Sequence, residues 1–155
     1  MPLTTDERYE RCDELFDECE ETAEAYLDAL IAKAREECDE DELRRLCLFQ
    51  LLRVDNQERV ILCEVSPSTW DGTRFDVGRA EYLVLDEDEA NDAWDESLDN
   101  YLDECVLCEL DGIAETYFDR EAWKRDARHD GRGHSLSSYD GCEMDAQEYC
   151  VFRIN

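Results

Sequence analysis

Lysine is almost missing from this chain. Lys33 and Lys124 are the only two, and from Glu81 to Asp111 there is neither lysine nor arginine. A chain so short of bases has no stripe with which to neutralise phosphates, which argues against direct binding to nucleic acid. Long apolar runs are missing too. None approaches the roughly 20 residues that a membrane span needs. The N-terminus, Met1-Pro2-Leu3-Thr4-Thr5-Asp6-Glu7, has neither the basic region nor the apolar core of a signal peptide. The cytoplasm is therefore the expected location, with no membrane partner. Walker, dinucleotide-binding and nucleophile-elbow motifs are absent as well, so no common cofactor is implied.

What the chain has instead is acid. Across 155 residues there are 44 Asp and Glu against 16 Lys and Arg, a formal net charge of -28. Self-repulsion on this scale works against a compact state, so something must offset it. Disorder is not the answer, because hydrophobic residues reach 43% and include three Trp, seven Tyr and five Phe. The expectation is one folded domain over 1–155, with an acidic helical segment over 1–45 and an α+β body over 46–155.

Nine cysteines are spread along the chain, an odd number without an export signal, so reduced thiols packed as small hydrophobes are expected. Cys105 and Cys108 form a Cys-x-x-Cys, and His129 and His134 follow. Thiolate and imidazole suit a tetrahedral zinc shell, but the spacer between the pairs is long for a zinc site. Neither a metal nor a cofactor is assigned on this basis.

Helical periodicity organises the two ends of the chain. Thr4 and Glu7 have the form of a capping box. After it Tyr9, Cys12, Phe16, Cys19, Ala23, Tyr26, Leu30 and Ala34 recur at helical steps, predicting a helix over 5–37. At about 50 Å such a helix is long for a chain of this size, which suggests a break or a partner helix. Its polar face carries Asp13, Asp17, Glu20 and Glu24. A shorter helix is expected over 39–45. Leu46–Val54 and Arg59–Val65 then read as a hairpin turning at 55–58, and Trp70-Asp71-Gly72 reads as a loop. Glu81–Leu85 is a further predicted strand.

Asp86 and Glu89 pattern as the cap of a second long helix, running to Val106. Asp119 is placed to cap a short one through Arg128. A glycine-bearing loop over 131–141 and a final strand over 148–154 complete the reading. Strands and helices fall in separate runs, which predicts an α+β fold. Two long acidic amphipathic helices would pack with a small antiparallel sheet.

The second helix carries the sharpest signal. Ten acids between Asp86 and Val106 place one charge per ~3.2 Å of helix axis. A single strand of B-DNA presents one phosphate per ~3.4 Å. Asp88, Asp92, Asp95, Asp99 and Asp103, with Glu96 beside them, form a line at steps of four, three, four and four. Like charges at that spacing destabilise an isolated helix. A gain elsewhere is implied, and imitation of a DNA backbone supplies one. The partner would be a DNA-binding protein or complex, with the Arg120–Arg132 segment anchoring both acidic helices by ion pairs. The oligomeric state is open, and a dimer is compatible with the sequence. A general adaptation to salt and an ordinary solvated helix face are the competing explanations. The loop 131–141 supports a different function, a small enzyme or nucleic-acid-processing accessory in which His134 acts as base and Asp140 orients it. An adaptor with a self-pairing helix is the third.

The stretches Glu81-Tyr82-Leu83-Val84-Leu85-Asp86, Trp94-Asp95-Glu96-Ser97-Leu98-Asp99-Asn100-Tyr101 and Tyr117-Phe118-Asp119-Arg120-Glu121-Ala122-Trp123-Lys124-Arg125-Asp126-Ala127, followed by Gly131-Arg132-Gly133-His134-Ser135-Leu136 and Tyr139-Asp140-Gly141, resemble a family of small acidic bacteriophage proteins of uncharacterised activity. The resemblance spans about 80–141. It implies a phage origin and action in the host cytoplasm, and it carries no functional residue across. A second likeness, through Phe118, Asp119, Glu121, Ala122, Arg125 and Asp126, is to DNA-mimic antirestriction proteins. Together these lead to the expectation of an anti-defence inhibitor, directed at a CRISPR effector or a restriction enzyme.

Overall fold

The computed structural model describes residues 3–55, 61–68 and 72–155. The fold is α+β. A five-stranded antiparallel sheet lies between two helical layers. Three helices come first: α1 (Thr5–Glu18), α2 (Glu20–Glu36) and α3 (Glu40–Asp55). The strands are β1 (Val65–Pro67), β2 (Arg74–Val77), β3 (Ala80–Asp86), β4 (Met144–Ala146) and β5 (Tyr149–Arg153), in the order β1-β2-β3-β5-β4. Between β3 and β4 come α4 (Glu87–Tyr101), α5 (Gly112–Thr116), α6 (Arg120–Ala127) and α7 (Arg132–Leu136).

The two central strands explain the layering. Along β3, Tyr82 and Val84 pack with the α1–α3 layer while Leu83 and Leu85 pack with α4 and α7. Along β5, Tyr149 and Val151 face the first layer, and Cys150 and Phe152 the second. Successive side chains on a strand point to opposite faces, so a strand covered on both sides must be apolar throughout. Tyr149–Phe152 is buried at every position.

The first predicted helix is in fact two. The capping box of Thr4 and Glu7 is present, but the helix stops at Cys19, whose backbone turns extended (φ -157°, ψ 111°). The chain folds back there, and α2 packs against α1 as a hairpin. The apolar stripe changes register at the break. In α2 the buried residues are Ala23, Leu27, Ile31 and Ala34, while Tyr26 and Leu30 are only half-buried. A stripe extrapolated through Cys19 misses this because the fold-back resets the helical phase.

The expected hairpin over 46–65 is overturned more completely. Leu46–Val54 is the second half of α3, whose helix runs through Arg45 and Leu46 without interruption. Leu46, Cys47, Leu48 and Phe49 are all buried, because this stretch is enclosed by α1, α2 and the sheet. A helix buried nearly all round shows no alternation, and a short apolar run cannot be told from a strand by periodicity. Of the described residues 61–65, only Val65 enters a strand, after a tight helical turn at Leu62–Glu64, and 59–60 lie outside the described residues. The turn expected beyond Asp55 and the loop at Trp70-Asp71 lie outside the described residues. β2 and β4, four and three residues long, are too short for periodicity to register.

Glu81–Leu85 falls within β3, and Asp86 with Glu89 forms a complete capping box for α4. Beyond Tyr101 the predicted helix loosens into a π-helical turn over Leu102–Val106. Asp119 caps α6 as expected, its carboxylate accepting from the Ala122 N–H at 3.1 Å. The loop expected over 131–141 contains α7 instead. Gly133 makes that helix possible. A Cβ there would lie 2.7 Å from the Cys142 backbone carbon and 2.7 Å from the Gly141 carbonyl oxygen. Its close approach is to its own chain and not to a ligand. No described helix is long and apolar enough to cross a membrane.

Candidate acidic interface

The cap at Asp86 aims α4 across the outer face of the sheet. Two buried or nearly buried arginines hold its first turn. Arg44, from α3, donates to Glu89 and Glu40, both at 2.6 Å, and to the Val84 carbonyl at 2.8 Å. Arg132, from α7, reaches Glu87 at 2.9 Å, Asn91 at 3.0 Å and Glu143 at 2.7 Å. Glu87 is held below the usual carboxylate range by its bonds to Arg132. Glu40, Asp86 and Glu89 are the one carboxylate cluster with metal-ligand spacing among the described residues. Arg44 already bridges Glu40 and Glu89, so a cation occupies that place.

Further along α4 the carboxylates separate into two rows. Asp95, Asp99 and Asp103 face α6, four residues apart. Opposite them Arg128, Lys124 and Arg120 run the other way at the same spacing. Arg128 meets Asp95 at 2.8 Å, and Lys124 meets Asp95 at 2.5 Å and Asp99 at 3.2 Å. Arg120 meets Asp99 at 3.0 Å and Asp103 at 2.8 Å. The two helices are thus joined by a ladder of ion pairs, as expected of the Arg120–Arg132 segment for the second acidic helix; among the described residues it makes none with α1 or α2, which lie across the sheet. Lys124 is at its centre, with only 5% of its side chain exposed. Its bonds to the ladder hold Asp99 below the ordinary carboxylate range. At the far end Trp123 stacks on Tyr101, ring centroids 5.9 Å apart and nearly parallel.

The other row is Asp88, Asp92 and Glu96, also four residues apart, and all three are exposed. Among the described residues, no ion pair holds any of them. The single line read from the sequence therefore divides into an inner row that binds α6 and an outer row that faces solvent. Sequence spacing places both rows on one broad face, and only the docking of α6 tells them apart.

The acids of α1 and α2 lie on the opposite side of the sheet, so the two sets do not merge into one strip. Asp13 is half-buried and accepts from the Leu62 N–H at 3.1 Å. Asp17 is exposed and is itself engaged within the fold. Glu20 and Glu24 are exposed on α2, at the edge of a cleft against α3. Three of the seven bases on α1–α3, Arg44, Arg45 and Arg53, serve the interior. Arg45 lies over the Tyr9 ring and donates to the carbonyls of Val65 and Leu62. Arg53 lies over Phe16. Nothing in the sequence distinguishes Arg44 or Arg45 from surface arginines, and their burial becomes visible only with α3 in place.

Comparison of the chain with family models, curated proteins and solved structures returns no match.

The alternative constellations fare differently. Cys105, Cys108, His129 and His134 are all exposed, and no three of them come within ligand distance of one another. The predicted pairing of His134 with Asp140 does not form. Asp140 accepts from the Ser137 hydroxyl at 2.7 Å and from the Cys142 N–H at 3.0 Å, which holds its carboxyl low. His134 sits instead near Trp123, Tyr101 and Asp130. Of the eight cysteines described, all free, only Cys12, Cys47 and Cys150 are buried. Cys19, Cys38, Cys105, Cys108 and Cys142 are exposed, so packing as small hydrophobes accounts for three.

Proposed function

We propose that the chain is a phage-encoded inhibitor that acts as a DNA mimic. It would occupy the basic nucleic-acid-binding surface of a host defence protein, such as a restriction enzyme or a CRISPR effector complex. The observation that carries this reading is the outer row of α4. Asp88, Asp92 and Glu96 project a row of exposed carboxylates, without an ion pair among the described residues, from a helix clamped by Arg44, Arg132 and the α6 ladder. Successive members of the row are about 6 Å apart at four residues and 1.5 Å per residue. A clamped helix has no backbone left to order on binding, so its electrostatic attraction is spent only on fixing three side chains. Arg120, Lys124, Arg128 and Arg132 are paired with the inner row and with Glu87, and the chain as a whole carries a net charge of -28. Like DNA, such a surface binds a cationic groove more weakly as salt rises.

The test is displacement of labelled duplex DNA from a panel of purified restriction enzymes and CRISPR effectors. Addition of the chain at low salt releases DNA from at least one of them, and raising the salt removes the effect. Absence of displacement across the panel refutes the mimic.

A further inference from the structure

The cleft between α2 and α3, closed at one end by the turn joining β4 and β5, combines two properties that the α4 row lacks. It is concave, with a volume of about 620 Å³, within the range of ligand-binding pockets. Its floor is apolar, made by Leu27, Leu51 and Ala146, with Phe16 at one side. Its rim is acidic: Glu20, Glu24, Asp28 and Asp145 surround it. Arg53 is the one base in the lining among the described residues, and its guanidinium carbon lies over the Phe16 ring, 3.8 Å from its centroid. Asp28 accepts from Gln50 at 3.1 Å, and Gln50 in turn accepts from Gln147 at 2.7 Å, which braces the rim across to the sheet. Glu20, Glu24 and Asp145 hold no ion pair among the described residues.

We infer that this cleft receives an arginine side chain, flanked by apolar residues, from a segment of the partner protein. The inference rests on the mimic reading for the basic character of the partner, and it names the chemistry of one contact. Charge complementarity selects a cation, since four carboxylates face a single guanidinium. The apolar floor selects a cation on a hydrocarbon stem, which lies along such a surface while its head reaches the charged edge. Arginine fits better than lysine because its planar fork pairs with carboxylates two bonds at a time and stacks on an aromatic ring. Arg53 on Phe16 is the same interaction made within the chain. A bare phosphate mimic needs no floor. This site adds one, and with it a preference for proteins over free polycations.

Fluorescence titration of the full chain with two short labelled peptides tests the assignment. One alternates arginine with leucine, and the other carries the same arginines with glycine between them. The leucine peptide is expected to bind about tenfold more tightly, the low end of what burying one such side chain contributes. Glu20→Gln with Glu24→Gln is expected to weaken it by about tenfold, since charge-assisted hydrogen bonds are lost. Glu109→Gln with Glu115→Gln removes the same charge at positions outside both the cleft and the α4 row and should change it less than about twofold. All four positions are exposed, and matching thermal melts confirm intact folds. Equal affinity of the two peptides, or equal loss from the two double variants, overturns the cleft. DNA displacement is scored separately. If it persists while the peptides are not distinguished, the cleft fails and the mimic stands. If the peptides are distinguished but no DNA is displaced, the cleft stands and the mimic fails.

Discussion

Replacing Lys124 by methionine keeps the aliphatic stem that packs between α4 and α6 and removes only the charge. The ammonium lies 2.5 Å from Asp95 and 3.2 Å from Asp99, and its side chain is 5% exposed. Breaking a fully buried pair costs about 3–5 kcal/mol, and an exposed pair about 0–1. This ladder lies between those limits, because Asp95 and Asp99 keep 48% and 36% of their side-chain surface in water. Arg128 and Arg120 also remain to share them. The expected loss is about 1–2 kcal/mol, or a fall in Tm of roughly 3–6 °C for a chain of this length. Differential scanning calorimetry at low salt measures it, and the gap should narrow as salt screens the pair. The informative comparison is with Asp92→Asn. That change removes an unpaired charge from a strongly acidic molecule, so Tm should stay level or rise. Should Lys124→Met melt with the wild type, or Asp92→Asn fall as far, the division of α4 into paired and unpaired rows is wrong.

Three further outcomes follow from the geometry. Gly133→Ala drives a Cβ into the backbone at Gly141–Glu143, and overpacking of this kind costs about 1–3 kcal/mol; an unchanged urea midpoint would show that α7 does not approach so closely. In alkylation at neutral pH, Cys19 should react before Cys12, Cys47 and Cys150. Hydrogen bonds from Thr22 lower its pKa, while burial pushes Cys12 and Cys47 up to about 12 and Cys150 to about 11. Mass spectrometry of the modified sites decides this, and early loss of Cys47 would contradict the buried α3. Asp99 and Glu148 are held low by Lys124 and Arg35 respectively. A depressed carboxylate contributes fully above its unfolded pKa of about 4 and loses that contribution as pH falls through the folded value. The stability gap between wild type and Asp99→Asn should therefore close on acidification below about pH 4, and a gap that widens there would reverse the assignment.

Local signals in the sequence served well where one short stretch decides the outcome. The capping boxes at Thr4 and Asp86, the cap at Asp119 and strand β3 are each set by a few adjacent residues. Signals that depend on distant partners did not. Leu46–Phe49 looks like a strand because enclosure by α1, α2 and the sheet makes every position apolar. The fold-back at Cys19 has no glycine or proline to mark it, so the stripe was continued through it in the wrong register. The acidic line of α4 was visible residue by residue, but not its split, since that depends on where α6 docks. The cleft gave still less sign, because Glu24, Leu51 and Asp145 meet only in the folded chain.

The split also identifies the measurement that bears most directly on the proposed function. Neutralising Asp95, Asp99 and Asp103 would disturb the ladder to α6 and confuse binding with folding. Asp88→Asn, Asp92→Asn and Glu96→Gln together leave the ladder, the cap and the arginine clamps intact. DNA displacement by this triple variant, measured against wild type on the same enzyme at low salt, should weaken at least about tenfold, since each lost charge-assisted contact to a basic partner contributes of order 1 kcal/mol. His134→Ala should displace DNA as the wild type does. Full displacement by the triple variant, or loss of activity in His134→Ala, would contradict the account.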